Sequence, residues 1–139
     1  MNLETETFIK LALKMQAPLT NMGVTIEAIE PGSVTLSVRI TESMTTIGTG
    51  VVMGGVIAMI ADVTAGLSVI SLMDRPRAVT TIDFTAHQIS AAKGERLLIV
   101  GRAERISKIL CVSGADTFSY NGEQKRKCAR LTATFLIPS

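Results

Sequence analysis

Apolar and polar positions change period several times along the chain, and each change marks an element. Near the start, Phe8, Leu11, Ala12 and Met15 recur at i, i+3, i+4 and i+7, the spacing of one helical face. They predict a helix over 3–16, and Pro18 opposes its continuation. Residues 23–30 (GVTIEAIE) read as a strand, and Pro31-Gly32 is a turn signal. Residues 33–41 alternate strictly, with Val34, Leu36, Val38 and Ile40 on one face and Thr35, Ser37 and Arg39 on the other. The two segments predict an antiparallel hairpin. A Thr- and Gly-rich loop follows over 42–53. The next stretch, 54–73, is apolar around its whole circumference and reads as a helix that leaves at Pro76. Four β-like segments close the chain, at about 78–88, 95–106, 109–120 and 126–137. Ala92-Lys93-Gly94, Ser107-Lys108 and the tight-turn pair Asn121-Gly122 separate them.

A helix apolar all round must be wrapped by its own protein. Six strands and one such helix predict an α+β fold, an antiparallel sheet of about six strands wrapped around a long central helix. No linker or repeat divides the 139 residues, so 1–139 is expected to be one domain. One sheet and one helix leave a sheet edge bare, and a bare edge invites a second chain. The length of 54–73 would also permit a membrane span. Asp62 near its centre opposes that, at about 2.5 to 3.5 kcal/mol on the insertion scale, and no membrane partner is expected.

The chain is 47% hydrophobic but only 4% aromatic, so the core must be built from aliphatic side chains. A net charge of +2 spread over scattered basic residues, with no helix-turn-helix pattern, argues against a nucleic-acid partner. Cys111 and Cys128 lack metal-ligand spacing and read as reduced thiols, with no metal implied. Glu4, Glu6, Lys10 and Lys14 make the N-terminus an amphipathic helix rather than a secretory leader, and the expected compartment is the cytoplasm. His87 is the lone histidine and reads as a strand residue without a catalytic partner.

Asp62 is the one charged residue between Glu42 and Asp74. A carboxylate in so apolar a run is costly unless something holds it. Met53-Gly54-Gly55, then Asp62, then TTIDFTAHQISAAKG at 80–94 together resemble the hotdog-fold thioesterases of the phenylacetate-pathway type. That family opens its central helix on His-Gly-Gly and carries an acidic residue nine positions after the His. A strand with Thr or Ser and a segment close to Phe-Leu-Arg-Pro-Ala-x-x-Gly follow. The resemblance spans nearly the whole chain. It departs at Met53, which replaces the His, at Ile47, where some relatives have Asn, and at Ala91, the proline position.

The resemblance implies hydrolysis of an acyl-CoA thioester, with no cofactor. Gly54 would donate its backbone N–H to the thioester oxygen. Asp62 would be general base or nucleophile, and Thr81 would hold the water. Strict alternation places Thr80, not Thr81, on the side of Ile82 and Phe84, so Thr80 stands as the alternative. Gly55 would let a carbonyl approach the backbone, and Ala58 would leave room beside the carboxylate. Met53 and Ile47 would make the pocket more apolar and so favour a hydrophobic acyl chain. Lys108, with Arg75, Arg77, Lys93 and Arg96, could meet CoA phosphates.

Geometry adds a constraint. Gly54 and Asp62 are eight residues apart, about 12 Å along a helix at about 1.5 Å per residue. Both must lie within about 3 Å of one reacting group, which a single helix cannot arrange. Two antiparallel helices across a two-fold axis can, so the mechanism requires a homodimer, alone or as a dimer of dimers. The competing reading is a non-catalytic acyl-CoA or ligand-binding protein of the same fold.

Overall fold

The computed structural model describes residues 1–138. The element order is α1 (Leu3–Lys14), α2 (Ala17–Met22), β1 (Thr25–Glu30), β2 (Ser33–Arg39), a single 3-10 turn (Glu42–Met44), α3 (Gly54–Ile70), β3 (Thr80–Gln88), β4 (Arg96–Ile106), β5 (Leu110–Asn121) and β6 (Gln124–Leu136). The six strands form one antiparallel sheet in the order β1-β2-β4-β5-β6-β3. Helix α3 lies across it, and the fold class matches the expectation from the sequence. No helix among the described residues is long and apolar enough to cross a membrane.

The core follows from the alternation. Val34, Leu36 and Val38 of β2, Leu97 and Ile99 of β4, and Leu131, Ala133 and Phe135 of β6 all turn inward onto Ile57, Ile60, Ala61 and Ala65 of α3. The sheet approaches the helix most closely at Gly101. A Cβ there would meet the Ser68 side chain and come within 2.8 Å of the Thr64 carbonyl oxygen, so the position admits no side chain without displacing the helix. The helix's own hydroxyls fasten it to the sheet. Ser68 Oγ donates to the Thr64 carbonyl at 2.9 Å and accepts from the Val34 N–H at 3.0 Å. Ser71 Oγ donates to the Ser68 carbonyl at 2.6 Å and accepts from the Gly32 N–H at 2.8 Å, in the β1–β2 turn. Ser113 Oγ of β5 donates to the Ala65 carbonyl at 2.9 Å.

Two helical boundaries differ from the sequence reading. The N-terminal helix stops at Lys14, and a second short helix takes Pro18 in its first turn, where the missing proline N–H costs nothing. Helix α3 ends at Ile70, not at 73: the next amides, of Leu72 and Met73, bond to the Val69 and Ile70 carbonyls three residues back rather than four. The buried face of α1 also differs. Thr5, Ile9 and Leu13 are buried, while Leu11 and Met15 are 53% and 73% exposed. Anchors outside the helix set that rotation. Asn2 caps the first turn through the Thr5 N–H at 2.8 Å and donates to the Asp74 carbonyl at 3.0 Å, and Thr5 Oγ1 donates to the Met73 carbonyl at 2.7 Å.

The two sheet edges are unlike. β1 is six residues long, is interrupted by a bulge at Glu27 and carries Glu27 and Glu30, features that discourage strand pairing. β3 runs nine residues, and every residue from Ile82 to Gln88 is exposed. Among them Ile82 and Phe84 are 53% and 47% exposed. Beside this edge, the first half of α3 is also open: Gly55 is exposed and Val56, Ala58, Met59, Asp62 and Val63 are only half-buried, whereas every residue from Thr64 to Ser71 is buried.

Candidate active site

Asp62 sits at the boundary between the open and buried halves of α3, facing β3. Thr81 Oγ1 donates to Asp62 Oδ1 at 2.9 Å. A bulge makes the contact possible. Thr81 pairs with Phe135 and Asp83 with Thr134, which leaves Ile82 as an extra residue in β3. Strict alternation is broken at that residue, and Thr81 turns to the carboxylate while Thr80 is exposed. Thr81 therefore supports the carboxylate directly. Its single proton is given to Asp62, so it could meet a water only as an acceptor.

Burial pushes the Asp62 carboxyl above the ordinary carboxylate range, and the Thr81 hydrogen bond opposes that shift in part. No salt bridge among the described residues reaches Asp62. A desolvated carboxylate with one hydrogen bond and no cation is a stronger base than a solvated one.

A cavity of about 270 Å³ opens beside the pair. Val63, Gly66, Leu67 and Ile70 of α3 form one side, Ala78, Val79 and Phe135 another, and Phe8, Ala12 and Gln16 from the N-terminal helices a third. Of the wheel neighbours of Asp62, Gly66 lines this space, while Ala65 is fully buried against the sheet and Ala58 is half-buried one turn earlier. The N-terminal contribution was not evident from the sequence. Its signal is the i, i+4, i+8 spacing of Phe8, Ala12 and Gln16, hidden because Phe8 and Ala12 also fit a core-facing stripe.

The glycine pair is elsewhere. Gly54 and Gly55 are the first two residues of α3, and Met53, the N-cap, makes no side-chain cap. The Met53 carbonyl takes the N–H groups of Val56 and Ile57. The two glycine N–H groups are thus the orphan donors of the helix, at its positive end. Gly54 lines a different recess, shared with Met53, Thr46, Gln88 and Ala91. Gln88 is at the far end of β3 from Thr81. Within one chain, Asp62 and Gly54 do not share a cavity. Ile47 is 97% exposed in the loop before α3 and Met53 is partly exposed at the helix start, so neither lines the Asp62 cavity of its own chain. Lys108 lies in the exposed β4–β5 turn; Leu110, just beyond it, pairs with Leu136, which also pairs with Thr80, so this turn is at the Thr81 end of the sheet.

Among the described residues no cluster of three or more His, Cys, Asp or Glu could hold a metal. Cys111 and Cys128 are free and buried, and burial pushes the Cys128 thiol up to about 11. Neither is a candidate nucleophile.

Comparison with known proteins places the chain among relatives of this architecture. The model of the thioesterase superfamily matches residues 49–125, which include both the glycine pair and Asp62. A Halobacterium salinarum protein provisionally named an esterase is 32% identical over 108 residues, 71% of this chain and 72% of that one. A thioesterase family protein of Silicibacter pomeroyi superposes with a TM-score of 0.90 at 23% identity, covering 95% of this chain and 96% of the other. The PaaI protein of the Escherichia coli phenylacetic acid degradation operon superposes with a TM-score of 0.84 at 14% identity, covering 99% and 97%. These two likenesses give the hotdog fold.

Proposed function

The chain belongs to the thioesterase superfamily and is a thioester hydrolase of hotdog fold, and from that premise we propose that it cleaves acyl-CoA to a free acid and CoA in a site shared by two copies. The observation that carries this reading is the separation of the two chemical halves. Asp62 and Thr81 line one cavity, and Gly54, the first residue of α3, lines another. The open β3 edge and the half-open face of α3 adjoin, so a two-fold pairing of β3 strands would set the two α3 helices side by side and antiparallel. Gly54 of one copy would then approach Asp62 of the other.

In that site Asp62 takes a proton from water as the oxygen attacks the thioester carbon. The orphan amides at the start of the partner's helix receive the developing oxyanion. When the carbon–sulfur bond breaks, the proton held by Asp62 passes to the departing thiolate. A direct attack by the carboxylate through an anhydride would use the same geometry. Thr81 fixes the carboxylate in either case. Lys108, at the same end of the sheet as Thr81, is a candidate for the CoA phosphates. The apolar character expected of Met53 and Ile47 would act in the partner's site.

The pH profile of acyl-CoA hydrolysis tests the assignment. Activity should rise with pH as Asp62 ionises, with a midpoint above the ordinary value of about 3.9. Thr81→Val removes the bond that lowers the Asp62 pKa, so its acid limb should move further up, whereas Thr81→Ser should restore the wild-type limb. An unchanged limb in Thr81→Val would remove Asp62 as the titrating base. A protein that binds acyl-CoA and releases no CoA would instead be the non-catalytic binding protein.

A further inference from the structure

We propose that the N-terminal segment is the gauge of the acyl pocket: Phe8 and Ala12 of α1, with Gln16 just beyond that helix, form the wall against which the acyl tail ends, and the small side chain at Ala12 sets how long a tail is accepted. This rests on the acyl-CoA reading of the Asp62 site.

The cavity beside Asp62 and Thr81 has its reacting groups on one wall only. Apart from Gln16, the rest of the lining is apolar, with Leu67, Ile70 and Val79 beside Phe8 and Ala12. A tail attached to a carbonyl at Asp62 therefore has an apolar place to go, and its end meets α1. The volume, about 270 Å³, exceeds the roughly 150 Å³ cavity that suffices for a benzene ring. It suits an acyl group of one ring's bulk or somewhat larger and is wastefully large for acetyl.

The wall is rigid. Ile9 and Leu13 on the adjoining face of α1 are buried in the core, and Asn2 and Thr5 tie the first turn to the Met73 and Asp74 carbonyls. Phe8 and Ala12, one turn apart on α1, are thus held at fixed distance from α3. Phe8 presents bulk at one end of the wall, Gln16 a carboxamide that makes no capping bond at the other, and Ala12 a gap between them. A gap flanked by a large side chain on a fixed helix is a depth limit.

The test is the ratio of kcat/KM for decanoyl-CoA to that for acetyl-CoA, measured on the full chain. Ala12→Phe should lower the ratio by about tenfold or more, since a single methylene in an apolar pocket is worth about tenfold to 200-fold. Phe8→Ala should raise it, by admitting the longer tail. Either shift in its stated direction supports the gauge. A ratio unchanged in both variants, with wild-type hydrolysing these esters, overturns the gauge and leaves the acyl-CoA reading standing. A wild-type protein that releases CoA from no ester overturns that reading, and the gauge with it.

Discussion

Asp62→Asn should lower acyl-CoA hydrolysis by about 100-fold to 10,000-fold, the usual worth of a positioned general base, while raising the melting temperature at neutral pH. The two effects have one cause. The folded-state pKa of Asp62 is raised, first by burial, with the Thr81 bond only partly opposing it. The folded state therefore binds its proton more tightly than the unfolded state does. By linkage, the stability this contributes is fully present below the unfolded value of about 3.9 and is lost as pH rises through the folded pKa. At neutral pH the ionised carboxylate is a burden on the fold that asparagine lacks, and asparagine Oδ1 still accepts from Thr81. The gain in melting temperature should shrink as pH falls and vanish below about 3.9. Thermal melts of both proteins across pH, beside thiol-release assays, read both effects. An Asp62→Asn protein that stays active, or that is less stable at neutral pH, would contradict the account.

Gly54→Pro should lower kcat by about 100-fold to 1,000-fold, the cost of losing one oxyanion donor, with little change in melting temperature. Proline removes the N–H and adds a ring whose Cβ meets only the movable Gln88 side chain. Gly54 is the first residue of α3, where proline's fixed φ suits a helix start. Met53 before it has φ −60° and ψ 136°, the extended conformation that a following proline requires. The matching control is Gly54→Ala, which keeps the N–H. Its Cβ would come 3.3 Å from Gln88 Nε2, the movable end of a long side chain, so activity should stay within a few-fold of wild-type. Normal turnover by Gly54→Pro would show that the Gly54 amide does not meet the substrate.

Much of the fold was legible because burial on one face imposes a period. β2 and β6 alternate inward and outward as their sequences do, and the apolar run of α3 announced a helix packed on the sheet, which the structure buries fully only from Thr64 onward. The phase of α1 was not legible. Apolar residues occupy both of its possible faces, and the choice was made by Asn2 and Thr5 bonding to carbonyls about 70 residues away. Half of the candidate site could be read from composition, since a lone carboxylate in an aliphatic run stands out. Thr81 against Thr80 could not be decided, because the bulge at Ile82 is a property of pairing with β6 and leaves no mark in β3 itself. The N-terminal wall of the cavity was hidden for the same reason as the phase of α1.

The claim on which the rest depends is that one copy of the chain supplies Asp62 and the other the amides of Gly54. Co-expressing Asp62→Asn and Gly54→Pro chains with different tags, and purifying the mixed dimer, separates the possibilities. In a shared site the mixed dimer carries one doubly defective centre and one with Asp62 and the Gly54 N–H both intact. It should recover about half of wild-type activity per dimer, although each parent is nearly inactive. If a single chain supplied both groups, every centre in the mixed dimer would lack one of them. Mixed dimers no more active than their parents would contradict the account.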